Sequence, residues 1–132
     1  MVFVYGTLLR GERNHRYLAG SRLLGRWQTP GQYGLWSLGA YPAACPGNAR
    51  LYGEVYRISA QTLARLDALE EVPAYYQRHR ISTPWGPAFI YLQPAPPTGS
   101  SLLASGDWRR RTSRIIARQG FEPVADSQAP TR

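Results

Sequence analysis

Only one stretch of this chain is patterned for a long helix. Ser59 opens it as a cap, Leu63, Leu66 and Leu69 recur near one face through about Glu70, and Pro73 stops it. Elsewhere 13 glycines and 11 prolines cut the chain into short runs rich in β-branched and aromatic residues. Residues 2–5 read as a strand ended by Gly6, and residues 31–36 as a strand with close approaches at its glycines. Residues 51–58 make the strongest strand, in which Gly53 invites a bulge. Residues 75–83 and 88–92 flank a turn at Pro84-Trp85-Gly86-Pro87. Residues 22–28 and 41–44 look extended, Asn14 caps a short helix through Leu18, and residues 93–100 form a surface loop. A doubly wound parallel sheet needs more helices between strands than this. The expectation is an α+β domain, a small closed or half-closed β-barrel with helices on its side. Residues 1–118 form this single domain, and residues 119–132 read as a loose tail.

Composition narrows the function classes. Hydrophobic residues are 43% and charged residues 18%, which argues against global disorder. The one cysteine, Cys45, rules out an internal disulfide framework, and with no histidine nearby it reads as a small buried hydrophobe. His15 and His79 lack metal-ligand spacing, so zinc chemistry is not expected; His15 is expected to pack at the start of the short helix. No apolar run approaches the ~20 residues of a membrane span. The N-terminal residues lack a basic leader, so the cytoplasm is the expected compartment. The net charge is +8, and every cation among the 16 is arginine. Such a field attracts a nucleic acid or a small acidic metabolite alike.

Three places can carry chemistry. In Tyr5-Gly6-Thr7-Leu8, a strand halting at glycine leaves successive backbone N–H groups free to converge on an anion such as a carboxylate, with the Thr7 hydroxyl beside them. The bland alternative is an ordinary strand-to-loop turn. Asp67 and Glu70 sit three apart on the helix and share a face near Leu63 and Leu66. A carboxylate there has its pKa raised by burial, or else is a solvated helix-end acid. Asp67 can instead be structural, bonding backbone across the helix end, and Glu71 is a rival for Glu70 about 100° round the helix. Glu54, on a strand face with Tyr52, Tyr56 and Ile58, reads as structural. Tyr76 and Arg78 alternate onto one side of a strand, where they either line a site or decorate the surface.

These pieces, in this order, resemble the gamma-glutamylcyclotransferase superfamily. The likeness begins with residues 2–8, Arg10-Gly11 and Asn14-His15. It continues through Leu24-Gly25, Gly39-Ala40-Tyr41-Pro42 and Gly53-Glu54-Val55-Tyr56, then Leu66-Asp67-Ala68-Leu69-Glu70 with Pro73, Tyr76 and Arg78. It ends at Ser105-Gly106-Asp107-Trp108. The resemblance implies a six-stranded barrel in which the turn Tyr5, Gly6, Thr7 and Leu8 holds a glutamyl α-carboxylate, with Tyr76 beside the substrate. It implies that Glu70 is the essential acid/base, and that no cofactor or metal takes part. Many members carry glycine after that glutamate, where this chain has Glu71. Some bacterial relatives lack the glutamate altogether, and this chain retains it.

The implied reaction is intramolecular: the α-amine of a γ-glutamyl compound attacks its own side-chain carbonyl, giving 5-oxoproline and a free amine or amino acid. One carboxylate can take the amine's proton and return it to the leaving nitrogen. The mechanism requires Glu70 to be at least partly buried near Leu66 or Leu69. The expected partner is a small γ-glutamyl substrate, with no membrane association and a monomer or homodimer as the assembly. The competing readings are a catalytically dead ligand- or partner-binding member of the same fold, and a nucleic-acid module built on the basic stretch of residues 109–118.

Overall fold

In the computed structural model, which describes residues 1–111, the first strand lies in the middle of a sheet. Strand β1 (Val2–Val4) is apolar at every position, and no residue of it is more than 2% exposed. Such a continuous apolar run suits a strand covered on both faces. It pairs antiparallel with β5 (Tyr52–Arg57) and parallel with β7 (Gly86–Leu92). Beyond β5 lies β2 (Arg22–Gln28), and beyond β7 lies β6 (Gln77–Thr83), giving the order β2-β5-β1-β7-β6. A second sheet places β3 (Tyr33–Ser37) between β4 (Pro42–Pro46) and β8 (Ser101–Leu102). The one α-helix among the described residues is α1 (Ala60–Leu69); short 3-10 turns form at His15–Leu18 and Trp108–Arg110.

The architecture is α+β, and the described strands do not close into a barrel. Eight strands, rather than about six, form a five-stranded and a three-stranded sheet. The two sheets meet where β4 passes β7, and there a side chain occupies much of the line a backbone ladder would follow. The Ala44 N–H donates to the Tyr5 hydroxyl (3.2 Å), and that hydroxyl donates to the Tyr91 carbonyl (2.7 Å). Beyond it, the Gln93 N–H donates to the Ala44 carbonyl at 2.9 Å.

Local expectations are met in some places and corrected in others. Ser59 caps α1 by accepting from the Thr62 N–H at 3.0 Å, and Leu66 is fully buried, which contributes ~1.5–3 kcal/mol. The bulge lies between Leu23 and Gly25 on β2, not at Gly53. Gly53 is instead a point of close approach: a Cβ there would collide with the Val4 carbonyl and lie 2.6 Å from the Phe3 ring. The hairpin turn is only Pro84-Trp85, because Gly86 already pairs with Thr83. Asn14 precedes a 3-10 turn but makes no capping bond, since its side chain is drawn off to Thr7. The expectations for residues 112–118 and for the tail 119–132 lie outside the described residues.

Candidate active site

Backbone geometry sets the first wall of the site. After β1, Leu9 N–H returns to the Gly6 carbonyl (3.0 Å), and Asn14 N–H donates to the Thr7 carbonyl (2.9 Å). The Asn14 side chain ties down the Thr7 hydroxyl at 3.0 Å. Among the described residues, no hydrogen bond engages the amide N–H of Gly6, Thr7 or Leu8. Gly6 is required by space, not by an unusual φ: a Cβ there would sit 2.5 Å from Cγ of Pro42. Glycine therefore lets the turn press against β4.

The second wall is the end of α1. Glu70 terminates the helix, with its N–H on the Leu66 carbonyl at 2.9 Å. Glu71 adopts φ +55, its N–H donates to Ala68 O, and Val72 N–H donates back to Asp67 O at 3.0 Å. This is the double-bonded helix stop that usually places glycine at the left-handed position. Glu71 thus leaves the helical path instead of continuing round it. The chain then curls under the helix end, with Tyr75 N–H on Glu71 O (2.8 Å) and Tyr76 N–H on Glu70 O (3.3 Å).

The two walls enclose one cavity of about 230 Å³. Tyr5, Gly6, Thr7, Leu8, Glu70 and Tyr76, all anticipated from sequence, line it together. So do Arg13, Asn14, Tyr41, Pro42, Glu71, Tyr75 and Tyr91, of which the sequence singles out only Glu71 as a site candidate. Sequence order hides Tyr41 and Tyr91 because β4 and β7 reach the site only through long-range packing. Arg13 carries no signal beyond its nearness to Asn14.

Burial without compensation governs the electrostatics. Among the described residues no hydrogen bond or ion pair engages the Glu70 carboxylate, and burial pushes its pKa up to about 7. The phenols are different. Tyr5, Tyr76 and Tyr91 are all pushed well above the usual tyrosine range, chiefly by burial, so each stays protonated and donates. Their protons go to protein acceptors: Tyr91 O, Pro42 O (2.7 Å) and Asp67 Oδ1 (2.8 Å) respectively. Tyr41 and Tyr75 share one proton bridge at 2.7 Å; that bond first, then burial, raises Tyr41 to about 12. Glu70 is therefore the lining group poised to exchange protons near neutral pH.

Other expected residues sort differently. Asp67 is a brace, but it bonds the Tyr91 hydroxyl and the Arg78 guanidinium rather than backbone. Arg78 does not join Tyr76 at the cavity. The strand begins only at Gln77, so alternation does not extend to Tyr76, and Arg78 lies over the Phe89 ring at 4.6 Å. Glu54 is buried and accepts from Arg10 N–H (2.9 Å), the Tyr56 hydroxyl (3.0 Å) and Arg109 (3.1 Å), a structural hub. Cys45 is fully buried in β4, and burial raises its thiol pKa. His15 hydrogen-bonds through Nδ1 with the Leu8 carbonyl at 3.0 Å and packs at 5.8 Å from the Tyr56 ring. In the basic stretch, Arg109 is paired with Glu54 and Arg111 with Glu12, which draws two guanidiniums away from any external anion; Arg114 and Arg118 lie outside the described residues. Among the described residues no group of three His, Cys, Asp or Glu side chains is placed to hold a metal ion, and no helix is long and apolar enough to cross a membrane.

Compared with known proteins, the chain as a whole matches one family. The model of the AIG2-like gamma-glutamyl cyclotransferases covers residues 2–110, and the chain belongs to that family. A Vibrio cholerae protein, whose name assigns it provisionally to the gamma-glutamylcyclotransferases, is 50% identical over 111 residues, spanning 84% of this chain and 96% of its own. The Escherichia coli gamma-glutamylcyclotransferase family protein YtfP is 44% identical over 83% of this chain and 96% of its own, and its solution structure superposes with a TM-score of 0.69. The crystal structure of Pyrococcus horikoshii PH0828, an uncharacterized protein, is 30% identical over 92% of this chain and 98% of its own, with a TM-score of 0.76.

Proposed function

We propose that this protein is a γ-glutamyl cyclotransferase in which Glu70 moves the proton. The observation that carries the reading is one half-buried carboxylate, without a partner among the described residues and with its pKa pushed up to about 7, lining the same cavity as residues 6–8. The amides take the substrate's α-carboxylate, which fixes the glutamyl head and brings its α-amine toward its own γ-carbonyl. Glu70 accepts a proton as the amine nitrogen bonds the γ-carbon. The C–N bond to the leaving group breaks, and Glu70 returns the proton to the departing nitrogen. The products are 5-oxoproline and a free amine.

Magnitude supports Glu70 as the base. An ordinary glutamate lies ~3.7 below an α-amine near ~8, which makes proton transfer ~5 kcal/mol uphill. At about 7 the gap shrinks to ~1.4 kcal/mol. A cavity of about 230 Å³ is below the ~300–1,000 Å³ of drug-sized sites, in keeping with a small substrate. No cofactor enters this scheme.

The test is a panel of γ-glutamyl compounds assayed for 5-oxoproline with wild type and Glu70→Gln. Turnover by wild type, lost by at least ~100-fold in a folded Glu70→Gln that still binds substrate, is the expected result. Equal turnover by the variant removes Glu70 from the reaction. Binding without turnover by wild type favours a ligand-binding role instead.

A further inference from the structure

Two carboxylates line the cavity, and the reaction above uses one. Glu71 follows Glu70 directly, yet the left-handed turn at the helix stop sends it along a different path onto the same cavity. Among the described residues it has no ion-pair partner, and it is exposed at the surface. Its charge is felt by the Tyr41 hydroxyl, which places it toward the Tyr41–Tyr75 pair. The lining cation is Arg13, whose sequence neighbour Asn14 is bonded to Thr7 on the turn proposed to receive the head carboxylate. The glutamyl head carries one negative and one positive group. The turn with Arg13 matches the first and Glu70 the second, so the charge left over for the leaving group is that of Glu71.

We propose that Glu71 sets leaving-group preference, favouring a leaving amine that carries a further positive charge, such as a diamine, over a neutral one. Conjugates of amino acids, which place a carboxylate beside the scissile bond, are disfavoured. This rests on the cyclotransferase reading of the cavity. A solvent-facing carboxylate acts modestly, so selectivity is graded and not absolute. It is also screened, and fades as ionic strength rises.

The experiment uses three γ-glutamyl amides matched in length, made from n-butylamine, 1,4-diaminobutane and 4-aminobutyrate. Both kcat/KM for 5-oxoproline release and Kd by calorimetry are measured at low and high salt, for wild type, Glu71→Gln and Glu71→Asp. Wild type is expected to favour the cationic over the neutral amide by about fivefold, and the neutral over the anionic by a similar factor. Glu71→Gln flattens this order, and Glu71→Asp retains it. An order that persists in Glu71→Gln, or that favours the anionic amide in wild type, overturns the proposal. Turnover without charge order sinks this inference and spares the reaction. Charge order in Kd without turnover sinks the reaction and with it the leaving-group role of Glu71.

Discussion

Replacing Glu70 by glutamine should make the protein inactive and, above neutral pH, more stable. Burial raises the carboxyl pKa from an ordinary value near 4.5 to about 7. The folded state therefore binds the proton more tightly than the unfolded chain. The neutral form contributes stability that is fully present below pH ~4.5 and is lost as pH rises through about 7. At ~1.4 kcal/mol per tenfold, the full difference is ~3 kcal/mol, and partial exposure of the side chain reduces the usable part to ~2 kcal/mol. Glutamine keeps the shape of the neutral acid and has nothing to ionise. Wild type and Glu70→Gln should then unfold alike in urea at pH 4.5, while at pH 8.5 the variant should be more stable by ~2 kcal/mol, or several degrees in Tm. A stability difference that does not change between pH 4.5 and 8.5 would refute the claim that Glu70 is charged at the expense of the fold, and with it the basis for its proton-transfer role.

Three further outcomes follow from the geometry. Gly6→Ala forces a Cβ to within 2.5 Å of Pro42 and should destabilise by ~1–3 kcal/mol in urea titrations. Tyr5→Phe deletes the hydroxyl between Ala44 N–H and Tyr91 O, leaving buried backbone groups unpaired, and should cost ~1–3 kcal/mol. Glu71→Gly removes a side chain from a φ of +55, and thermal unfolding should show a stability gain below ~1 kcal/mol, since a more flexible unfolded chain offsets part of the relief.

Local signals made much of this protein legible from its sequence. The Ser59 cap, the buried Leu66 and the stop before Pro73 are events within one helix, and they located Glu70. The apolar run ending at Gly6 located the turn. What the sequence hid depends on partners far along the chain. Tyr5 meets Tyr91 across 86 positions, and Arg109 meets Glu54 across 55. No periodicity encodes such pairs. Gly53 misled for the same reason: it reads as a bulge residue, whereas its lack of a side chain accommodates Phe3 and Val4 of a neighbouring strand. Strand counting also could not show that the described strands stop short of a closed barrel, with a phenol hydroxyl bridging β4 and β7.

That phenol belongs to Tyr5, the first residue of the turn assigned to hold the substrate's head. The seam of the two sheets and the lining of the pocket thus share a residue. A loop grafted onto a finished scaffold can loosen while the scaffold stands. Here the turn proposed to hold the head begins at a residue that also ties the sheets together, so a disturbance at Tyr5 is felt by pocket and scaffold at once.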